Sequence, residues 1–555
     1  MSKNPEDIQP LRNNDQTNQQ PEKWDYEKIF EYKCFGHFGY QQRIYILFLA
    51  VCAFLCGFNA ILPTFLMSMN GNPANPNFVN NTTNCQNYTD YIDLQTGKPL
   101  DENNDGGFLE MKRTKYLDES VVDYFNLICD RSSLIELADS VYFAGQIFAS
   151  LLAGYLGDNY GRKLPVLLSM ILCAGATLLS GFTESWTVYV VCRFFISFVM
   201  VSGLNAYVMI MELAGPSVRE QLGVATQVSF AFGCCVCSFV AYYASTWREL
   251  LYMAAVMNLA PLVIQIFCPE SPRYLLLRGK IDQVKKIILG IAEKNNAKSG
   301  SKNINDVKEL EKYMDLWEPD NSNSNANQQT SDEKIYTFFD LFNHSLTMSI
   351  SVFKNMFLWG TVSLVFYGVS LNVNRMPGDL YITNIISGLA EAISCSTLAP
   401  YIVTRYPFRK TLGYSFLMGG IALFATYLIL CYPEMDPFSE IDGQKWVLVT
   451  ITSFFGKFFI ATVFAIIYNY TANAFPTSVR ANAISLSSAA ARMGSTIRPL
   501  LSILAGWFLV NLGMENTLML MYMGLSVLSY LVCMTLIEVF QKPMIMTFDD
   551  FDKRA

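Results

Sequence analysis

The chain has 555 residues, of which 52% are hydrophobic and 16% charged, a charged share well below the roughly 25% of soluble domains, so lipid is the expected solvent. It has two histidines, His37 and His344, and no spaced Cys/His set, which excludes the usual zinc centres and leaves no metal or other cofactor to expect. The net charge of −7 comes largely from acidic hydrophilic stretches such as Asp101 to Glu119 and Asp549 to Asp552; without a basic tract, nucleic acid is not an expected partner.

The first forty or so residues are polar and lack a secretory signal, so the first apolar run is expected to serve as an uncleaved membrane signal. A bilayer core takes about 20 apolar residues per helix, and the chain supplies twelve such runs, centred near residues 55, 145, 173, 197, 233, 258, 360, 391, 421, 459, 495 and 529. Between the first two lies a hydrophilic outer loop, 68–133, with sequons at Asn80, Asn81 and Asn87. The same loop holds Cys85 and Cys129, which can form a disulfide if it faces an oxidising compartment. Cysteines inside the apolar runs, such as Cys56, Cys173 and Cys234, read as small buried hydrophobes. After the sixth run comes a hydrophilic segment with amphipathic stretches (Ile281 to Ala292, Val307 to Leu316) and a low-complexity run beginning at Asn321, a flexible linker by composition. The pattern is six, linker, six. The expected parts are an N-terminal segment 1–43, a first half 44–268, a linker 269–348, a second half 349–540 and a tail 541–555.

Lys and Arg in short loops set the orientation. With the N-terminus cytoplasmic, the inner short loops carry Arg162, Lys163, Arg219, Arg405, Arg409, Lys410 and Arg480 against Arg248, Arg375 and Lys445 outside. Both termini and the linker are then cytoplasmic, and the sequons fall outside, where glycosylation requires them. An integral multi-pass protein is expected, most naturally in the plasma membrane or else in an organelle membrane.

The loop after the second run reads Gly154-Tyr-Leu-Gly-Asp158-Asn-Tyr-Gly161-Arg162-Lys163. A glycine turn there holds an acid and a basic pair at a helix boundary, where they can lock two halves of a protein in one conformation. This loop resembles the G-x-x-x-D-R-x-G-R-[KR] signature of major facilitators, with Asn159 replacing the usual arginine. Further segments are similar to those of the organic cation, organic anion and carnitine transporter family. These are Gly36-His-Phe-Gly39-Tyr-Gln-Gln42, Asn126-Leu-Ile-Cys129-Asp130, Glu212-Leu-Ala-Gly-Pro-Ser-Val-Arg219 and Pro269-Glu-Ser-Pro-Arg273, then Tyr367-Gly-Val-Ser-Leu-Asn372, Gly456-Lys457-Phe458 and Tyr468 to Arg480. The resemblance covers about residues 30 to 540 and implies an all-α major facilitator fold: twelve transmembrane helices in two six-helix halves around one cavity. It also implies gating roles for Gly154, Asp158, Gly161, Arg162, Lys163, Arg219, Arg273 and Arg480. Two departures stand out. Asn473 replaces an acid at the inner end of the tenth helix, and Glu391-Ala-Ile393 lacks the family's helix-8 proline.

Ionisable side chains within hydrocarbon are costly and usually face a cavity or a partner. Helical phase puts Asn384, Ser387, Glu391 and Ser394 on one face, Lys457, Phe464, Tyr468 and Thr471 on another, and Ser485, Ser488, Arg492 and Ser495 on a third. Such stripes suggest a wet cavity. Arg492 weighs most, because the resemblance puts arginine at this position in members that prefer anions or carnitine, and a guanidinium pairs bidentately with a carboxylate while repelling cations. The competing reading is a structural bridge from Arg492 to Glu391. Tyr142, Tyr367, Phe464 and Tyr468 are the aromatic wall candidates, and Gln146 and Ser488 are further polar candidates. Glu136 and Asp139 read as a solvated helix end, the alternative being a part in proton coupling or in steering solutes at the mouth.

The expected function is secondary transport of a small organic anion or carnitine-like zwitterion by alternating access, not enzymatic catalysis, with a proton or counter-ion as a coupling partner. No Walker A sequence is present to use ATP. The alternatives are a sugar or polyol carrier of the same superfamily and a non-transporting membrane subunit or receptor.

Overall fold

The computed structural model describes residues 26–67, 119–127, 131, 133–298, 304–315, 340–372, 379–431, 441–476, 479–512, 516–539 and 551–552. Cys85, Cys129, Asn80, Asn81, Asn87 and the low-complexity run lie outside these residues, as does the side chain of Arg480. Each predicted run is a helix. The first half holds α1 (Tyr40–Leu66), α2 (Ser133–Tyr160), α3 (Lys163–Phe182), α4 (Trp186–Leu213), α5 (Pro216–Tyr243) and α6 (Trp247–Phe267). The second holds α7 (Leu346–Leu371), α8 (Leu380–Ile393, one π-helical turn Ser394–Leu398, then Ala399–Arg405), α9 (Phe408–Leu430), α10 (Ile441–Ala474), α11 (Arg480–Leu512) and α12 (Thr517–Cys533). Among the described residues nine of these are individually long and apolar enough to cross a bilayer; α6, α11 and α12 complete the twelve.

Local chemistry sets the helix ends. Thr246, Ser345 and Asp379 accept backbone N–H bonds from Glu249, Met348 and Ile382 at the starts of α6, α7 and α8, and Pro216 opens α5, where its missing N–H leaves no bond unmade. Large apolar side chains such as Leu151, Tyr155, Leu168, Phe182, Ile421 and Leu531 stand exposed, as lipid-facing residues do.

The two halves repeat each other. In the first, α1 packs on α5 and α3 on α6; in the second, α7 packs on α11 and α9 on α12. Both long crossings depend on missing side chains. A Cβ on Gly57 would strike the Phe230 carbonyl and one on Gly233 the Phe54 carbonyl, while one on Gly494 would strike the Gly360 carbonyl. Such small-residue crossings let membrane helices touch backbone to backbone. The halves meet along α2–α11 and α5–α8.

Beside the first half the amphipathic stretches form the helices Ile281–Lys298 and Ile304–Asp315. Their apolar faces (Val284, Ile288, Leu310, Met314) pack with Ile29, Phe30 and Phe35 of the N-terminal segment. Asn295 ties the unit to the start of α1, accepting from Gln41 N at 2.7 Å and donating to Phe35 O at 3.1 Å.

The candidate solute cavity and its gates

One end of the bundle is closed between the halves. Phe65 of α1 stacks on Tyr381 of α8 at 5.4 Å, Tyr242 of α5 meets the same ring edge-on at 5.6 Å, and Asn384 donates to Ser238 Oγ at 2.6 Å. Between α2, α4 and α11 sits a buried charge cluster. Arg498 reaches Asp139 at 2.6 Å and Glu136 at 3.7 Å, and Arg193 lies 3.8 Å from Asp139 with its guanidinium over the Tyr142 ring at 4.7 Å. Glu136 and Asp139 are therefore not a solvated helix end. They are the counter-charges that let two arginines be buried where helices from both halves meet.

The centre of the molecule holds a cavity of about 1070 Å³, its solvent-open mouth included. It opens toward the end that bears the α2–α3 and α4–α5 turns. The second half contributes Phe366, Tyr367, Glu391, Phe464, Tyr468 and Arg492, and the first half contributes Cys56, Met200, Gly203, Tyr207, Gln227 and Phe230. Of the predicted binding residues, Arg492, Glu391, Tyr367, Phe464 and Tyr468 are thus brought together on one wall. Lys457 stands just behind, paired to Glu391 at 3.5 Å, hydrogen-bonded to Ser370 Oγ and resting on the Phe366 ring 3.1 Å from its centroid. Tyr142, Gln146 and Ser488 do not line the cavity in this conformation. Tyr142 and Gln146 are buried in α2 toward the closed end, where Tyr142 is covered by Arg193, and Ser488 lies one helical turn before Arg492 on α11.

The bridge from Arg492 to Glu391 does not form, because Lys457 holds Glu391. Among the described residues Arg492 has no carboxylate partner; its hydrogen bond there is from Nη2 to the Met200 sulfur at 3.7 Å, and its Nε has none. Yet the side chain is only 2% exposed. It is surrounded by Tyr367, Tyr468 and Cys56. A buried guanidinium without a counter-charge is costly unless something arrives to pair with it.

The three polar stripes are only partly wet. Asn384 bonds Ser238, Ser394 bonds Thr462 at 2.6 Å, and Thr471 accepts from Trp359 Nε1 at 2.9 Å and donates to Asn355 at 3.2 Å. These groups join helices, and only the middle of each stripe meets the cavity. The break in α8 arises without the family's proline. The π-helical turn at Ser394–Leu398 follows Glu391 by three residues, and a π-bulge bends a helix and re-aims its side chains.

At the open end the α2–α3 turn is clasped by the segment after α6. Gly161 has φ +94°. Glu270 accepts from the backbone N–H groups of Arg162 at 2.9 Å and Lys163 at 3.2 Å, Lys163 Nζ donates to Cys268 O at 2.8 Å, and Arg278 donates to Asp158 O at 2.9 Å. Arg162 also pairs with Asp158 at 2.8 Å. In the second half Arg409 N donates to Glu538 at 3.3 Å, so an acid following the sixth helix of each half caps the third. Arg219 donates to the Met211 and Ala214 carbonyls, Arg273 is exposed, and Gly154 has open space around it. Among the described residues the Asp158 and Arg162 contacts lie within the first half and the segment after α6, and the Asp158 side chain is 69% exposed. The side-chain amides of Asn159 and Asn473 donate to carbonyls of their own helices, at 2.9 Å each.

Two halves in pseudo-repeat around a central cavity, sealed at one end and open at the other, define a secondary transporter of the major facilitator class. The fold agrees with that of the inward-open xylose transporter XylE from E. coli, with a TM-score of 0.58 over 92% of this chain and 98% of that one, at 14% identity. Residues 45–545 match the sugar (and other) transporter family, and the chain belongs to that family. Within it the chain is similar to organic cation and carnitine transporters. It is 28% identical over 540 residues to the organic cation transporter protein of Drosophila melanogaster, covering 93% of this chain and 92% of that one. It is also 28% identical over 446 residues to organic cation/carnitine transporter 2 of Homo sapiens, covering 79% and 73%. These relatives are multi-pass membrane transporters and not enzymes.

The cavity's first-half wall escaped the sequence reading. Gly203, Tyr207, Gln227 and Phe230 are neutral, so no cost of burial marked them. The available signal was the run of small residues, such as Gly203, Ala206 and Gly223, on helices otherwise rich in large ones.

Proposed function

We propose that the protein carries a small organic anion or a carnitine-like zwitterion across a membrane by alternating access. The observation that carries this reading is Arg492, a buried cation facing the cavity with no carboxylate partner among the described residues. A solute carboxylate supplies the missing charge and two parallel hydrogen bonds. The rings of Tyr367, Phe464 and Tyr468 on the same wall suit an apolar body or an onium group, which is attracted to aromatic faces. Glu391 is engaged by Lys457 and does not offset Arg492, so the wall is positive overall and a simple cation is disfavoured. The names of the relatives allow carnitine and cations alike, and the arginine discriminates between them.

In this reading the closed end is external, the open end and both chain termini are cytoplasmic, and the plasma membrane is the site of action. The conformation is then inward-open, with the Asp158–Arg162 turn released from the second half. The test is uptake of labelled L-carnitine, a monocarboxylate and tetraethylammonium into vesicles holding the purified protein. Uptake of the first two with loss in Arg492→Ala supports the reading; preference for tetraethylammonium, unchanged by Arg492→Ala, overturns it.

A further inference from the structure

The charge cluster at the sealed end, Glu136 and Asp139 of α2, Arg193 of α4 and Arg498 of α11, sums to zero, and at most 13% of any of the four side chains is exposed. Its hydrogen bonding is incomplete. Arg498 Nη2 donates to Asp139 Oδ2 at 2.6 Å. Arg193 is fully buried, yet none of its Nε, Nη1 and Nη2 atoms has a hydrogen-bond partner among the described residues, nor has Asp139 Oδ1, 3.8 Å away. Buried polar atoms are nearly always bonded, and a cluster that served only to join helices would use these groups. The idle N–H groups of Arg193 are donors left for an acceptor from outside the chain. The cluster also adjoins the cavity. Arg193 covers the Tyr142 ring, which meets Phe143 at 5.4 Å, and Phe143 meets Tyr367 of the cavity wall at 5.0 Å. Arg498 stands six residues beyond Arg492 on α11, about 9 Å by helical rise. Because the acids and Arg193 belong to the first half and Arg498 to the second, the sealed end opens only by parting them.

We propose that this cluster is a second solute site, filled when the sealed end opens, and that it takes a zwitterion bearing a carboxylate and an onium group. The proposal rests on the carrier reading above, in which this end is external, and it selects the zwitterion over the simple anion. Parting α11 from α2 takes Arg498 away from both acids and leaves Glu136 and Asp139 with Arg193. A solute carboxylate pairs with Arg498 through two parallel hydrogen bonds and accepts from the idle N–H groups of Arg193. The onium group of the same solute rests against Glu136 and Asp139. Each charge of the solute thus stands in for one partner of the broken pair, and the open state regains the pairing that the closed state had. A simple anion satisfies Arg498 but meets two carboxylates. A simple cation satisfies the acids but meets two guanidinium groups. A net-neutral solute with both charges keeps the site neutral, and an uncompensated charge in such a place is costly. By binding the open form better than the closed one, the zwitterion shifts the sealed end toward opening.

The test reads opening and needs no transport. The alkylation rate of a Tyr381→Cys reporter on α8, also at the sealed end, is measured in the lipid-reconstituted protein with Arg492→Gln added to remove the cation of the cavity. Saturating L-carnitine is expected to speed alkylation roughly fivefold or more, while butyrate and tetraethylammonium leave it unchanged. The carnitine effect should vanish in Arg498→Gln and in Glu136→Gln/Asp139→Asn, although both raise the rate without solute. It should persist, weakened, in Arg498→Lys, which keeps the charge; thermal unfolding of each preparation shows that the variants compared are folded. Overturning results are no carnitine effect in the Arg492→Gln protein, an effect shared by butyrate or tetraethylammonium, an effect that survives Arg498→Gln, or one absent from Arg498→Lys. Failure of the Arg492 reading shows elsewhere, as tetraethylammonium uptake unchanged by Arg492→Ala, and does not decide whether carnitine opens the sealed end.

Discussion

Replacing Arg492 by glutamine separates binding from folding. The guanidinium is nearly fully buried yet pairs with no carboxylate among the described residues, so its removal strands no acid. Solute-free stability should hold or rise, since an uncompensated buried charge is a liability that a neutral side chain of similar length relieves. Solute binding should fall. Truncating one partner of a buried, hydrogen-bonded charge pair costs about 2–5 kcal/mol, and the open mouth of the cavity argues for the lower end. At about 1.4 kcal/mol per tenfold, 2 kcal/mol corresponds to roughly 30-fold weaker binding of a carboxylate, while a lysine at 492 keeps the charge and loses the bidentate fork. The assay is L-carnitine binding by calorimetry together with thermal unfolding of the same preparations. Equal affinity in wild type and Arg492→Gln would refute the pairing. A large drop in unfolding temperature would show that the guanidinium has a structural partner after all.

Lys457→Ala should behave in the opposite way. It leaves the Glu391 carboxylate, whose side chain is 4% exposed, without its ammonium, and breaking a buried pair on one side costs about 3–5 kcal/mol; thermal unfolding should show the loss, and adding Glu391→Gln should recover most of it. Arg498→Gln removes the α11 side of the charge cluster and leaves Asp139 only the more distant Arg193, at 3.8 Å, so the closed end should open more often, seen as alkylation of a Tyr381→Cys reporter roughly tenfold faster for each 1.4 kcal/mol lost. Unchanged labelling would mean that the cluster does not hold the gate. Gly161→Ala forces a Cβ into φ +94° and against Glu270, which should lower stability by about 1–2 kcal/mol, measured against Gly154→Ala, a change into open space.

The spans, their grouping and the charged wall were legible because each is a property of one helix. A run of about 20 apolar residues needs no partner to be recognised, and an arginine within such a run advertises itself. What was not legible belongs to pairs of helices. Asp139 and Arg498 are 359 residues apart, and nothing along either helix says that they meet. The hydroxyls of Ser394 and Thr471 look the same on a helical wheel whether they face water or another helix, and only packing shows that they join α8 and α7 to α10. The family's helix-8 proline is missing, but a π-helical turn interrupts α8 three residues after Glu391, with Pro400 at the start of the segment that follows.

Arg492 and Arg498 show how much rests on that second kind of information. They are six residues apart on one helix, about 120° around its axis, and as residues in a sequence they are two equivalent buried cations. In the fold one faces the solute cavity with no acid paired to it among the described residues, and the other faces α2 with two. Because α11 is continuous from Arg480 to Leu512, a tilt that pulls Arg498 from Asp139 also moves Arg492 relative to Tyr367 and Glu391. Opening the sealed end and remodelling the binding wall are then one motion. A solute that fixes Arg492 biases the closure at Arg498 along the same helix, in which Pro499 leaves the Ser495 carbonyl without its backbone N–H and so makes a weak point between the two arginines, and that bias is the differential contact that alternating access requires.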